Sequence, residues 1–115
     1  RFEKVYNIFL EELKEELPET KFMILEPFVL KGTSTADRDD QPGRYKKFRS
    51  GVEEVAAIAK NLADKHGIKF IPLQGILDEE AEKVPATDLL SDGVHPTAKG
   101  HELIKREWIK AFNEL

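Results

Sequence analysis

Apolar residues recur with helical spacing in three long segments of the chain. The first segment ends before Pro18 and the second extends from Arg44 to His66, with Gly67 placed to stop it. The third begins after Pro96, with Thr97 as its expected N-cap. The predicted buried faces are Phe2, Val5, Phe9, Leu13 and Leu17; then Phe48, Val52, Val55, Ile58 or Ala59, and Leu62; then Leu103, Ile104, Trp108, Ala111 and Phe112. Three amphipathic helices are therefore predicted.

Two short apolar runs predict buried strands between these helices, at residues 21–26 and 68–72. Runs that are apolar throughout, rather than alternating, are typical of parallel strands covered on both faces. A further short helix is predicted over residues 77–84. Since helices and strands alternate, the predicted fold class is α/β, with a layered α/β/α arrangement and parallel strands.

The predicted sheet is too small for a complete domain of this class, because a doubly wound sheet normally has about four or five strands. The chain also begins at Arg1 inside an amphipathic helix. We therefore expect residues 1–115 to form part of a domain, with an unpaired strand edge and an apolar face that lacks a partner. Such edges favour association, so a homo-oligomer is a further expectation.

Composition excludes several functional classes. Of the 115 residues, 40% are hydrophobic and 35% charged, as in ordinary folded domains. The net charge is -4 and the basic residues are spread along the chain, so no nucleic-acid partner is expected. No apolar run approaches the ~20 residues of a membrane helix, and no signal peptide is recognised in residues 1–115. A cytoplasmic location is the expectation, although the sequence itself does not identify the compartment. The absence of cysteine excludes disulfide and thiolate chemistry.

The candidate chemistry lies in residues 91–101, just before the last helix. Asp92 and His95 are three residues apart, and Gly93 allows a tight turn between them. At this spacing the carboxylate can bond the imidazole Nδ1–H, which leaves Nε2 free to take a proton from a nucleophile. Pro96 stiffens the chain after the histidine and is expected to start the helix. On spacing alone, an ordinary hydrogen-bonded Asp–His turn without catalytic function is the alternative.

Other polar residues have simpler interpretations. His66 at a helix C-terminus is predicted to be structural, with a charge that suits the helix dipole, and His101 to be packed or capping. The three histidines lack zinc-ligand spacing. Glu26, at a strand end, is the one further acid that could face a site. Trp108 is predicted in a core or an interface.

The loop over residues 31–43 is polar and long enough to suggest a function. Its Asp37, Asp39 and Asp40 fail the calcium-loop pattern, because Pro42 stands where that pattern needs glycine and Phe48 where it needs glutamate. A solvated loop is predicted instead, and no metal site is expected.

The string Asp92-Gly93-Val94-His95-Pro96-Thr97, followed by Gly100-His101, resembles the last sequence block of the SGNH (GDSL) superfamily of serine ester hydrolases. Leu25-Glu26-Pro27-Phe28 is similar to the family's penultimate strand and the turn after it, and the later elements follow in the family's order. The resemblance covers nearly the whole chain and implies the C-terminal half of a three-layer, flavodoxin-like fold. It also implies that Asp92 and His95 are the acid and base of a catalytic triad.

The family's other blocks are missing from this chain. They supply a Gly-Asp-Ser nucleophile, and a glycine and an asparagine for the oxyanion hole. None of Ser34, Ser50 and Ser91 stands in a Gly-Asp-Ser context, and Asn7 and Asn61 fall within predicted helices. The resemblance implies hydrolysis of carboxylic esters without metal or organic cofactor, and inactivity of these residues alone.

Two functional hypotheses follow. The first is an esterase or acylhydrolase; within the family, the turn after the penultimate strand, the basic second helix and the Asp-Gly-Val-His-Pro sequence resemble members that act on small esters or acetylated carbohydrates. The second is a non-catalytic α/β module that keeps the Asp–His turn for stability. A Gly-Asp-Ser sequence roughly one hundred residues before Arg1, by the resemblance, would favour the first.

Overall fold

Helices and strands alternate along the chain in the computed structural model, which describes residues 1–115. The elements in order are α1 (Phe2–Glu16), β1 (Met23–Leu25), α2 (Arg44–His66), β2 (Lys69–Ile71), α3 (Gln74–Glu80), a 3₁₀ turn (Ala86–Asp88) and α4 (Ala98–Asn113). The bounds of α2 agree with the prediction, and each strand is the centre of its predicted segment. The predicted α/β class is thereby confirmed.

The two strands pair in parallel across the α2 crossover. Partners across the pair are Met23 with Lys69, Ile24 with Phe70, and Leu25 with Ile71. Since alternate residues of a strand point to opposite faces, Ile24 and Phe70 share one face, and the outer two pairs share the other. The predicted parallel arrangement is confirmed, and each strand keeps one edge without a partner strand.

Helices cover both faces of this small sheet. On one face, buried residues of α1, β1 and α2 form a cluster: Leu10, Ile24, Ala59, Leu62 and Ala63. On the other face, α4 packs its Ala111 against Ile71 and Leu73. The layers are therefore helix, sheet and helix, as predicted. Only 20 of 115 residues are buried, so each layer contact is small.

A third cluster lies under the loops that follow the strands. It consists of Leu30, Leu77, Leu89, Leu90 and Leu103, drawn from the loop after β1, from α3, from the segment before α4 and from α4 itself. Leu89 and Leu90 have no exposed surface. This cluster ties the segment before α4 to the carboxyl ends of the strands.

The predicted buried face of α1 is only partly right. Leu10, absent from the predicted stripe, is the buried residue of α1, and Leu13 packs beside it. Phe2, Val5, Phe9 and Leu17 are exposed. The stripe is apolar as predicted. Only the side of α1 near Leu10 packs against the sheet and α2, and no other element of this chain covers the rest of the stripe.

The apolar faces of α2 and α4 are also only partly buried. The buried residues of α2 are Ala56, Ala59, Leu62 and Ala63. In α4, Leu103 and Ala111 are buried, whereas Trp108 and Phe112 stack on each other at 5.3 Å between ring centroids and remain exposed. The prediction of a core position for Trp108 is wrong; an interface position stays a prediction.

The ends of the helices explain which boundaries could be predicted. Gly67 ends α2 in a left-handed conformation, and the Thr97 hydroxyl accepts the Gly100 N–H at the start of α4, both as expected. Pro96 precedes this cap rather than starting the helix. Helix α3 begins at Gln74, three residues before the predicted Leu77, because Glu26 caps it across the fold.

No helix combines the length and the apolar character that crossing a membrane requires.

Candidate active site

Asp92 and His95 lie on the turn between the 3₁₀ segment and α4. The Asp92 Oδ2 atom is 2.5 Å from Nδ1 of His95. The second carboxylate oxygen, Oδ1, accepts the N–H of Val94 at 2.9 Å and that of His95 at 2.7 Å. One carboxylate thus orders the turn and orients the imidazole, which is the contact that the spacing predicted.

The electrostatics of the turn define the imidazole tautomer. Backbone hydrogen bonds from His95 and then Val94, followed by the His95 side chain, hold the pKa of Asp92 well below its usual range. An ionised carboxylate can only accept hydrogen bonds, so Nδ1 carries the proton toward Asp92. Nε2 of a neutral His95 then keeps its lone pair and has no hydrogen-bond partner within the chain.

The imidazole of His95 points away from the packed interior. Its side chain is 81% exposed, against 27% for the carboxylate of Asp92. None of Ser34, Ser50 and Ser91 donates a hydroxyl hydrogen bond to it. Neither Asp92 nor His95 lines any of the larger clefts of the chain. The arrangement can accept a proton from a group that approaches from outside this chain.

Gly93 is needed at this turn for two reasons. Its φ is +102°, in the left-handed region where a side chain is strained. A Cβ at this position would also lie 2.2 Å from the Thr35 hydroxyl oxygen and 2.6 Å from the Leu30 carbonyl oxygen. The predicted role of Gly93 in the turn is confirmed, and the structure adds a close neighbour on its other side.

That neighbour is the segment Leu30–Ala36, here termed the support loop. Two of its amides bond the turn: Leu30 N–H donates to the Gly93 carbonyl at 2.9 Å, and Ser34 N–H to the Asp92 carbonyl at 3.0 Å. Gly32 packs so closely that an added Cβ would lie 2.1 Å from the Gly93 nitrogen. The first part of the long polar loop therefore contacts the site directly.

Thr35 closes the support loop from inside. Its hydroxyl accepts the Gly32 N–H at 2.9 Å and donates to the Leu30 carbonyl at 2.5 Å. Thr35 is 1% exposed. Water therefore cannot replace its hydroxyl as the hydrogen-bond partner of the Gly32 N–H and the Leu30 carbonyl. The loop is an ordered, internally bonded unit.

Gln74 of α3 anchors the residue before the support loop. Its side-chain amide accepts the Val29 N–H at 2.9 Å and donates to the Val29 carbonyl at 2.9 Å. It also donates to Asp78, which makes a two-bond ion pair with Arg49 of α2 at 2.9 and 2.7 Å. Arg49 in turn lowers the pKa of Asp78. Two helices therefore hold Val29, the residue after which the support loop begins.

The other histidines form no hydrogen bond with the pair. His101 is exposed and its ring makes no hydrogen bond, so the prediction of a packed or capping role is wrong. Nε2 of His66 lies 2.7 Å from Oδ1 of Asn7, which supports a structural role. Burial, and then Lys14 and Lys65, lower the pKa of His66. The expected benefit of a charge at the helix end is therefore outweighed.

Glu26 and Asp37 bond the first amides of helices. Oε1 of Glu26 accepts the N–H groups of Leu73 and Gln74 at 2.9 and 2.8 Å, so its position at a strand end serves the start of α3. Asp37 accepts the Tyr45 N–H at 2.9 Å in the first turn of α2, which lowers its pKa. No group of three or more histidine, aspartate or glutamate side chains is arranged to hold a metal ion.

The sequence did not reveal Gly32, Thr35 and Gln74 as parts of the site. Its one relevant signal was the length of the polar loop after β1, which indicated function without naming a residue. A threonine three residues after a glycine is too common a pattern to be informative. Gly32 and Thr35 contact a turn about sixty residues further along the chain, and Gln74 bonds Val29 across 45 residues, so no local pattern reveals these contacts.

A family sequence model and a solved structure point to the same family. The sequence model of the GDSL-like lipase/acylhydrolase family matches residues 1–103. A structure of a GDSL-like lipase from Parabacteroides merdae superposes with a TM-score of 0.79 at 28% sequence identity, covering 95% of this chain and 47% of that one. No curated protein sequence matches the chain.

Two further structures are similar in fold. An acetylxylan esterase from Geobacillus stearothermophilus gives a TM-score of 0.72 at 19% identity, over 95% of this chain and 44% of that one. An alpha/beta hydrolase enzyme from the metagenome of Lake Arreo, Spain, gives 0.69 at 22% identity, over 95% of this chain and 46% of that one. The chain thus spans about half the length of the structures it matches.

Proposed function

This chain belongs to the GDSL-like lipase/acylhydrolase family, and we propose that it contributes Asp92 and His95 to a Ser-His-Asp site that hydrolyses carboxylic esters. The observation that carries the proposal is the 2.5 Å contact between the Asp92 carboxylate and Nδ1 of His95, which leaves Nε2 unbonded and exposed. In that state an imidazole is a general base.

The proposed reaction needs both residues in named roles. Nε2 of His95 removes the proton of a serine hydroxyl as its oxygen attacks the ester carbonyl, forming a tetrahedral intermediate. The protonated imidazole then donates that proton to the leaving alcohol as the ester bond breaks. Water repeats the sequence on the acyl-serine, which releases the carboxylic acid. Asp92 remains ionised throughout and stabilises the imidazolium.

We further propose that residues 1–115 form part of a larger domain. In this proposal the serine and the oxyanion-hole donors lie outside these residues and approach the exposed imidazole. The matched structures are about twice as long as this chain. The radius of gyration, 15.8 Å, exceeds the about 13 Å expected of a compact domain of this length. The open strand edge of the sheet and the exposed side of α1 are where further elements would pack.

For the substrate class we propose a small ester, with an acetylated carbohydrate as the favoured case. Support comes from the acetylxylan esterase among the structures of similar fold and from the sequence features around the second helix and the Asp-Gly-Val-His-Pro turn. The acyl group is therefore expected to be short.

The test is ester hydrolysis by the complete protein, measured on p-nitrophenyl esters of increasing chain length and on an acetylated xylan. We expect activity that is highest on acetate and falls with chain length, and that is lost in His95→Ala. Circular dichroism controls for folding. A folded His95→Ala protein with near-normal activity would sink the proposed mechanism, and activity highest on long acyl chains would sink the substrate proposal. An inactive wild-type protein would favour the non-catalytic module.

A further inference from the structure

The support loop, Leu30–Ala36, makes contacts that go beyond ordinary packing against the Asp92–His95 turn. We propose that it sets the position of the catalytic pair, and that Thr35 is a positioning residue that acts through it. This inference rests on the proposed function of Asp92 and His95. It concerns residues that touch neither the imidazole nor the reacting atoms.

The backbone hydrogen bonds of the support loop fall on both sides of the carboxylate residue. Its amides bond three consecutive carbonyls, those of Asp92 and Gly93 and, at 3.5 Å, that of Ser91. The same residues carry the turn that brings His95 back to the carboxylate. A shift of the support loop therefore moves the backbone from which the Asp92 side chain extends.

The support loop and the Asp92–His95 turn are packed without a gap between them. A Cβ on Gly32 would overlap the Asp92–Gly93 peptide, and a Cβ on Gly93 would overlap Thr35 and Leu30. The two segments are in contact from both sides, with no space for a methyl group between them. A change in the loop is therefore transmitted to the turn instead of being absorbed by a gap.

One hydroxyl, that of Thr35, maintains the shape of the support loop. Thr35 satisfies both the Gly32 amide and the Leu30 carbonyl, and it is buried. Leu30 also bonds Gly93 through its amide, so one residue links the threonine to the turn. Without the hydroxyl, the loop must rearrange to satisfy two buried polar groups.

The experiment compares Thr35→Val, which keeps the shape but removes the hydroxyl, with Thr35→Ser, which keeps the hydroxyl, in the complete protein. Because small displacements of catalytic groups are costly, we expect kcat on p-nitrophenyl acetate to fall about 10- to 100-fold in Thr35→Val with KM within about threefold. Thr35→Ser should keep kcat within about threefold of wild type. A kcat in folded Thr35→Val within threefold of wild type would overturn the proposal.

A second pair of variants keeps the test decisive if Thr35→Val does not fold. Gly32→Ala places a methyl group against the Asp92–Gly93 backbone, whereas Gly51→Ala, on α2, places one where nothing lies within 4 Å. We expect about a tenfold or greater loss of kcat in Gly32→Ala and none in Gly51→Ala. Equal kcat in the two variants would overturn the proposal.

Amide hydrogen exchange supplies a readout that does not depend on activity. The N–H groups of Val94 and His95 bond the Asp92 carboxylate, so they report the geometry of the pair. We expect their exchange to accelerate about tenfold or more in Thr35→Val, while amides within α2 stay unchanged. Unchanged exchange at both positions would contradict the proposal.

These readouts separate the two proposals. If His95→Ala abolishes activity but Thr35→Val does not lower it, only the positioning role fails. If folded His95→Ala stays active, the proposed catalytic function fails, and faster exchange at Val94 and His95 still supports a structural coupling of loop and turn.

Discussion

The Asp92–His95 turn and the outer side of α1 differ in how many of their contacts this chain supplies. At the turn, the carboxylate has three hydrogen-bond partners, Gly93 and Gly32 are in close contact, and no buried side-chain polar atom lacks a partner. On α1, Phe9 is 55% and Val5 57% exposed, although both belong to an apolar stripe. The hydrogen bonds of the Asp92 carboxylate are complete within this chain, whereas the apolar stripe of α1 is left uncovered.

This difference follows from the range of the forces involved. Hydrogen bonds between a turn and one adjacent loop need only the two segments that make them. Burial of a helix face about four turns long needs the area of several neighbouring elements. A chain can therefore hold the Asp92–His95 pair in place while its hydrophobic layers remain open. Changes at the turn should then affect chemistry, and changes on α1 should affect stability.

The largest expected effect comes from breaking the turn. In the chymotrypsin-type triad, an Asp-to-Asn change lowers kcat by ~10⁴ because it favours the wrong imidazole tautomer. For Asp92→Asn and His95→Ala in the complete protein, we expect losses of kcat/KM of about 10²- to 10⁴-fold each. The double variant should be scarcely worse than the worse single one, because triad members act as a unit.

Matched histidine variants control this prediction. His101→Ala and His66→Ala, whose side chains do not bond the pair, should lose less than about tenfold in kcat/KM on a small acetyl ester. Losses that multiply in the Asp92→Asn, His95→Ala double variant would show that the two residues act independently. The turn would then not act as one chemical unit.

A smaller effect, on stability, is expected from the exposed side of α1. In a complete domain Phe9 should be buried, so Phe9→Ser should lower the free energy of unfolding by about 2–4 kcal/mol with kcat little changed. Ile8 has a similar exposure, 47% against 55%, but it lies about 160° around the helix from the buried Leu10, whereas Phe9 lies about 100° from it. Ile8→Ser should cost less than about 1 kcal/mol.

Chemical denaturation of the two α1 variants in the complete protein measures this difference. Equal losses for Phe9→Ser and Ile8→Ser would mean that the apolar stripe of α1 has no partner there. The proposal that these residues are part of a larger domain would then lose its main structural support.

Next in size is the cap that Glu26 supplies to α3. Glu26→Ala leaves the N–H groups of Leu73 and Gln74 without their acceptor, and we expect a cost of about 1 kcal/mol in unfolding free energy. Glu26→Gln keeps an acceptor oxygen and should lose less. In both variants kcat should stay within about threefold of wild type. A loss of kcat in Glu26→Gln without a loss of stability would instead make this acid part of the reaction.

The parts of the fold that could be predicted are those that nearby residues determine. Helix α2 agrees with its predicted bounds because Gly67 stops it locally in the left-handed conformation that glycine favours. The Asp92–His95 contact spans three residues, so a spacing argument sufficed. Strand positions followed from short continuous apolar runs.

The parts that could not be predicted depend on distant partners. The start of α3 depends on a carboxylate from β1's end, 47 residues away. Which side of α1 is buried depends on how much of the helix the sheet covers. The spacing of apolar residues along the helix gives no information about that. The support loop matters through contacts between Gly32 and Gly93, which carry no signal in the sequence near either glycine.

The smallest expected effect concerns His66, on the same layer as α1, and it is a dependence on pH. Burial, Lys14 and Lys65 lower the folded-state pKa of His66 below its unfolded value, which is about 6.5. The unfolded chain then binds the proton first as pH falls. The contribution to stability is therefore present above about pH 6.5 and lost as pH falls through the folded pKa. Solvent screening of this partly exposed ring keeps the loss below about 1 kcal/mol. Between pH 7.5 and 5.5, on either side of that value, Tm should fall more in wild type than in His66→Gln, by a few degrees at most. A smaller fall in wild type would mean that attraction between the charged ring and the α2 dipole outweighs burial after all.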